Sequence, residues 1–135
     1  MIYIEIDTRS KVPIYAQIMD QIRALVRAGK LHHESTLPSV RQLAADLEVN
    51  PNTVAKAYSL LEREGLVRTE RRRGTVIAPS ARDVADTTVG SRLEEAIDRI
   101  LEEAASLGID RIELVKALQR RGLERKTQRS KRSTK

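Results

Sequence analysis

The stretch that most restricts this chain is "PSVRQLAADLEVNPNTVAKAYSLLEREG", residues 38–65. After Ser39 the apolar residues Val40, Leu43, Ala44 and Leu47 repeat at helical spacing, and Ser39 with Gln42 forms a capping box. Glu48 and Val49 then make a turn. Beyond it Val54, Ala57, Tyr58 and Leu61 repeat in the same way as far as Gly65. The second helix opens on Asn50 and Pro51, a good N-cap followed by the residue favoured at the first helical position. Capping accounts for those two and leaves Asn52 and Thr53, two short hydrogen-bonding side chains at an exposed helix start. The chain must therefore hold two short helices close together across a tight turn.

The flanking segments extend the pattern. "MIYIEID" alternates Ile2, Ile4 and Ile6 with polar residues, the period of a half-buried strand. Pro13 opens a helix whose stripe is Ile14, Ile18, Ile22, Leu25 and Val26, ending near Gly29. "LVRTE" and "TVIA" are strand-like and joined by "RRRG", which predicts a hairpin closed by Pro79. Residues 80–90 read as a linker without periodicity. Ser91 with Glu94 and Asp110 with Glu113 are capping boxes for two more helices over residues 91–121, with Gly108 as the C-cap between them. Leu93, Ile97, Ile100, Leu101, Ile112 and Val115 form stripes that one helical hairpin cannot bury alone, so a second copy of the chain is the simplest partner.

Charge is informative through its placement. The net charge is +6 over 135 residues. Residues 1–79 contribute +3, 80–121 contribute −2, and 122–135 contribute +5. That last segment has one large apolar residue and reads as a disordered basic tail, either a solubilising end or an auxiliary nucleic-acid arm.

Three short helices followed by a basic hairpin, with the tight turn between helices two and three, is the order of a winged helix-turn-helix, a mainly α fold with a small β hairpin. At about 100° per residue, Asn52, Lys56, Ser59 and Arg63 fall within roughly 60° of one another, opposite the apolar stripe of the third helix. Asn can read an adenine edge, and Thr can meet a phosphate or a thymine methyl. Arg71, Arg72 and Arg73 beside Gly74 concentrate positive charge on a tight turn, where a wing would meet the DNA backbone or minor groove.

"VPIYAQIMDQIRALVRAGKL", "TLPSVRQLAADLEVNPNTVAKAYSLLEREGLV" and "RRGTVIAP" together resemble the bacterial GntR-type transcription regulators, and the two-helix extension resembles the short YtrA-type branch. The resemblance implies DNA contacts at Arg41, Asn50, Asn52, Thr53 and Lys56, with Arg72, Arg73 and Gly74 at the wing tip. Ser39 and Pro51 complete the candidate DNA-facing set. It also implies dimerisation through the C-terminal helices. The expected function is a sequence-specific, homodimeric DNA-binding regulator, a repressor acting on a palindromic operator. The expected domains are a winged helix-turn-helix over 1–79, a linker over 80–90, a helical dimerisation region over 91–121 and a tail over 122–135.

Other classes fit less well. His32 and His33 are the only histidines and cysteine is absent, so a metal site would rest on carboxylates, and none is expected. The acidic cluster from Glu94 to Glu103 lies opposite an apolar stripe and reads as a solvated face rather than a general acid/base pair. No glycine-rich phosphate loop, nucleophile elbow or zincin helix is present, which argues against an enzyme and for no cofactor. No membrane-length apolar run or signal peptide is visible, giving the expectation of a cytoplasmic protein. The roughly 45 residues after the linker leave little room for a drug-sized pocket in one chain, so no small-molecule effector is assigned. The alternative is a module that docks a protein partner through the winged domain without specific DNA readout.

Overall fold

The computed structural model describes residues 2–133, with side chains described as far as Leu123. The chain divides into two compact units, residues 1–90 and 91–135.

In the first unit, α1 (Ile14–Arg27) buries Ile18, Met19, Ile22 and Val26, α2 (Val40–Leu47) buries Leu43 and Ala44, and α3 (Pro51–Glu64) buries Val54, Ala57, Tyr58 and Leu61. The α3 set is the stripe that the spacing predicts. In α1 Met19 joins the predicted stripe, and Ile14, Leu25, Val40 and Leu47 pack against the core only partly buried. Strands β1 (Val67–Glu70) and β2 (Gly74–Ile77) pair antiparallel, from Val67 opposite Ile77 to Glu70 opposite Gly74. Residues before α2 tie to the other side of β2: Thr36 bridges Val76, the Leu37 N–H donates to the Thr75 carbonyl at 2.8 Å, and the Ile77 N–H donates to the Ser35 carbonyl at 3.0 Å. The hairpin is thus anchored to the segment that launches α2. Ile18, Ile22, Leu61, Leu66 and Ile77 are the largest fully buried side chains, so the core is aliphatic. Each contributes about 1.5–3 kcal/mol by leaving water.

Two polar ties cross the core. The Tyr58 hydroxyl donates to the Pro38 carbonyl at 2.7 Å, joining α3 to the start of α2. Arg23, 6% exposed, reaches Glu64 at 2.6 Å and Asp20 at 2.9 Å, joining α1 to the end of α3. A guanidinium with two carboxylate partners can be buried where an unpaired one could not.

The N-terminal segment differs from expectation. Residues 2–7 form no strand. Ile4 is buried, with Ile2 and Ile6 packed against the core, so the alternation identifies the correct face. The hydrogen-bonding partners are glutamine side chains of α1. Gln21 accepts from the Glu5 N–H at 2.9 Å and donates to the Glu5 carbonyl at 2.6 Å, and Gln17 accepts from the Asp7 N–H at 2.8 Å and donates to the Asp7 carbonyl at 3.0 Å. Four residues of helix span about 6 Å and two residues of extended chain about 6.6 Å, so amides at i and i+4 can match backbone groups at alternate positions.

The expected linker over 80–90 is also helical, because α4 runs Ala81–Ser106. Ala81 and Ala85 are buried and Val84 packs on the core, a helical repeat that small side chains make faint in sequence. Ser91 consequently lies inside α4 rather than at its cap. Asp86 accepts from Arg27 at 3.0 Å, and this bond holds its carboxyl below the usual carboxylate range.

In the second unit α4 ends at a turn with Gly108 at φ 73°, and the Asp110 carboxylate accepts from the Glu113 N–H at 2.9 Å, so these two signals mark the real boundary. α5 runs Arg111–Ser133, through Gly122 and into the segment expected to be disordered. Leu123, Glu124, Arg125 and Lys126 are good helix formers that let the helix continue. Thr134 and Lys135 lie outside the described residues. Ala104 is the one buried apolar residue of this unit among the described residues.

Candidate nucleic-acid interface

The start of α3 separates its two asparagines. The Asn50 side chain accepts from the Asn52 N–H at 2.8 Å, and the Thr53 N–H donates to the Asn50 carbonyl at 2.9 Å. Pro51 takes the first helical position, where no N–H is needed. With the capping bond supplied by Asn50, the exposed Asn52 amide has no hydrogen-bond partner among the described residues. Thr53 is half-buried beside it, and Lys56, Ser59 and Arg63 continue the exposed face. The Lys56 ammonium lies over the Tyr15 ring, 4.1 Å from its centroid.

The turn that presents α3 rests on Glu48, whose φ of 56° puts a non-glycine residue in the left-handed region. Its N–H donates to the Ala45 carbonyl, and the Val49 N–H donates to the Ala44 carbonyl at 3.0 Å. Ser39 caps α2 by accepting from the Gln42 N–H at 3.1 Å. Gln42 completes no reciprocal box and donates to Asp46 instead. Arg41 is exposed and makes no ion pair among the described residues.

At the hairpin tip the three adjacent arginines are not equivalent. Arg73 donates to the Glu34 carbonyl and lies 3.6 Å from Glu70, which also pairs with Arg68 at 2.7 Å. Arg73 therefore fastens the hairpin to the loop before α2. Arg71 and Arg72 are exposed and make no such contact among the described residues. Gly74 sits at φ 75°, a conformation that suits glycine and closes the turn into β2. Sequence reasoning missed Tyr15 and Glu34 as parts of this surface. A tyrosine within an apolar stripe and a loop carbonyl carry no signal that could have found them.

Leu93, Ile97, Ile100, Leu101, Ile112 and Val115 are all exposed, as are Leu107 and Leu118. Among the described residues no group of three or more His, Cys, Asp or Glu could hold a metal, and no helix is long and apolar enough to cross a membrane.

A tight helix-turn-helix whose second helix presents an amide with no partner among the described residues, followed by a hairpin with adjacent arginines at its tip, is the architecture of a winged helix-turn-helix DNA-binding protein. The chain belongs to the GntR family of transcription regulators. Residues 14–77 match the family described as "Bacterial regulatory proteins, gntR family". The HTH-type transcriptional repressor YtrA of Bacillus subtilis (strain 168) is 40% identical over 107 residues, 79% of this chain and 82% of that protein. A GntR family transcriptional regulator from Listeria monocytogenes superposes with TM-score 0.70 at 28% identity, covering 85% of this chain and 98% of that one. YtrA from Sulfolobus acidocaldarius, a GntR-family transcription factor, superposes with TM-score 0.55 at 36% identity, covering 90% and 97%. The protein is a DNA-binding transcription regulator and not an enzyme.

Proposed function

We propose that the protein is a homodimeric repressor that binds a palindromic operator in the bacterial cytoplasm. Each α3 enters a major groove with its wing alongside, and the half-sites lie about one helical turn apart or a multiple of it. The observation that carries this reading is the exposed Asn52 side-chain amide, without a hydrogen-bond partner among the described residues, at a helix start that Asn50 caps and Pro51 opens. Asn52 reads a base edge, and Thr53 and Arg41 meet phosphates. Arg71 and Arg72 supply the wing's phosphate contacts, because Arg73 is held by the Glu34 carbonyl. The exposed stripes around Ile97, Ile100 and Ile112 pack on a second copy, which gives the two-fold axis that a palindrome matches. The repressor sense follows the B. subtilis relative, which is named as one.

A binding selection from random duplexes yields an operator, and titrations on that operator and on random duplex at several salt concentrations test the assignment. Asn52→Ala should cost on the order of 1–3 kcal/mol on the operator and relax preference at one base position, with random-duplex binding nearly unchanged. Arg72→Ala should weaken both duplexes alike and flatten the slope of log K against log salt by about one unit. If Asn52→Ala weakens random duplex as much as operator, Asn52 only positions the helix. Salt-insensitive binding to both duplexes would favour the protein-docking alternative.

A further inference from the structure

Lys56 lies one turn after Asn52 on the polar face of α3, and its spacing alone makes it a second base reader. Its observed course is different. The side chain crosses to α1, where its ammonium sits 4.1 Å from the centroid of the Tyr15 ring. The Arg23–Glu64 bond joins the same two helices at the same offset of 41 residues. Tyr15 and Lys56 each precede that pair by eight residues, about 12 Å of helix. The two contacts therefore hold α1 and α3 in step at two points, and the ring is fixed where Lys56 can reach it.

We propose that Tyr15 is a positioning residue for DNA binding: its ring holds the Lys56 ammonium beside α1, where the charge meets a phosphate of the duplex and not a base edge. This rests on the reading of α3 as the groove-facing helix. The negative face of an aromatic ring attracts an ammonium, which needs no particular orientation to accept that attraction. A free lysine has many rotamers and must give up that freedom when it binds, whereas one already held on a ring has less to lose. Lys56 stays exposed, so ammonium hydrogens not facing the ring remain available to an oxygen acceptor. As a compact charge with rotatable donors, lysine suits a phosphate and lacks the fork geometry of bidentate base readout.

The test uses the full chain and a mixed-sequence duplex of about 30 base pairs, titrated over a range of salt. Lys56→Met should weaken binding and flatten the log–log salt slope by about one unit. Tyr15→Leu, which keeps an apolar side chain without the π face, should weaken binding by about 2- to 5-fold. Tyr15→Phe should bind as the parent does, and Tyr15→Leu should have no further effect in the Lys56→Met background. Without any substitution, the Lys56 ε-methylene protons should show an upfield ring-current shift. The proposal is overturned by absence of that shift, by Tyr15→Phe binding as weakly as Tyr15→Leu, or by a Tyr15→Leu loss that persists when Lys56 is gone. An unchanged affinity and slope for Lys56→Met likewise overturns the proposal, whereas the groove-facing reading of α3 falls separately, if Asn52→Ala leaves operator preference unchanged.

Discussion

Tyr58 shows how one side chain can serve both packing and alignment. Its ring is buried in the face of α3, and its hydroxyl reaches the carbonyl that precedes α2, so the angle between the two helices depends partly on one bond. Tyr58→Phe keeps the ring and leaves that carbonyl without its donor, which should cost about 1–2 kcal/mol in thermal or denaturant unfolding. Burial also pushes the Tyr58 hydroxyl well above the usual tyrosine range. The folded state thus holds the proton more tightly than the unfolded one, and its contribution is complete below the unfolded value of about 10 and lost as pH rises beyond it. The phenylalanine variant should show a shallower alkaline loss of stability than the parent, measured by melts on both sides of that pH. A variant as stable as the parent at neutral pH would show that the bond contributes nothing net.

At the scale of elements, the N-terminal segment is held by two side chains that act as a substitute strand. Replacing Gln17 and Gln21 together with alanine removes bonds to the backbone of Glu5 and Asp7. We expect a loss of about 1–3 kcal/mol and faster hydrogen exchange at those two amides, with exchange in α3 little changed. If the two amides keep their protection, the apolar contacts of Ile4 hold the segment instead. This segment also marks how far the sequence is legible. Alternation of Ile2, Ile4 and Ile6 shows extended chain and which face is buried, but a partner on α1 has no local signature. The first three helices were legible because their stripes and stops are local: the Asn50–Pro51 start and the glycine at position 65 lie within a turn of what they delimit. The first turns of α4 were not, since Ala81 and Ala85 add little to an apolar pattern yet fit closely against a core. In the candidate site the polar face of α3 could be read from spacing. The division among Arg71, Arg72 and Arg73 could not, because it depends on a carbonyl 39 residues away.

For the whole molecule, the proposed reading assigns the assembly to the exposed residues of α4 and α5. On the proposed reading, Ile97→Asp or Ile100→Asp places an unpaired carboxylate in the interface between copies, a penalty on the order of several kcal/mol. Sedimentation should find either variant monomeric at concentrations where the parent is dimeric, with operator affinity reduced because the half-sites are no longer linked. Variants as dimeric as the parent would move the interface elsewhere. If the proposed dimer forms through them, the same exposed stripes give dilution a structural consequence. A core completed by a second copy is stabilised by mass action, so its melting temperature rises with protein concentration, while that of residues 1–90 need not. Copy number would then govern the supply of complete regulators, and a cell making too little would hold monomers with intact reading heads and no means of grasping both halves of a palindrome.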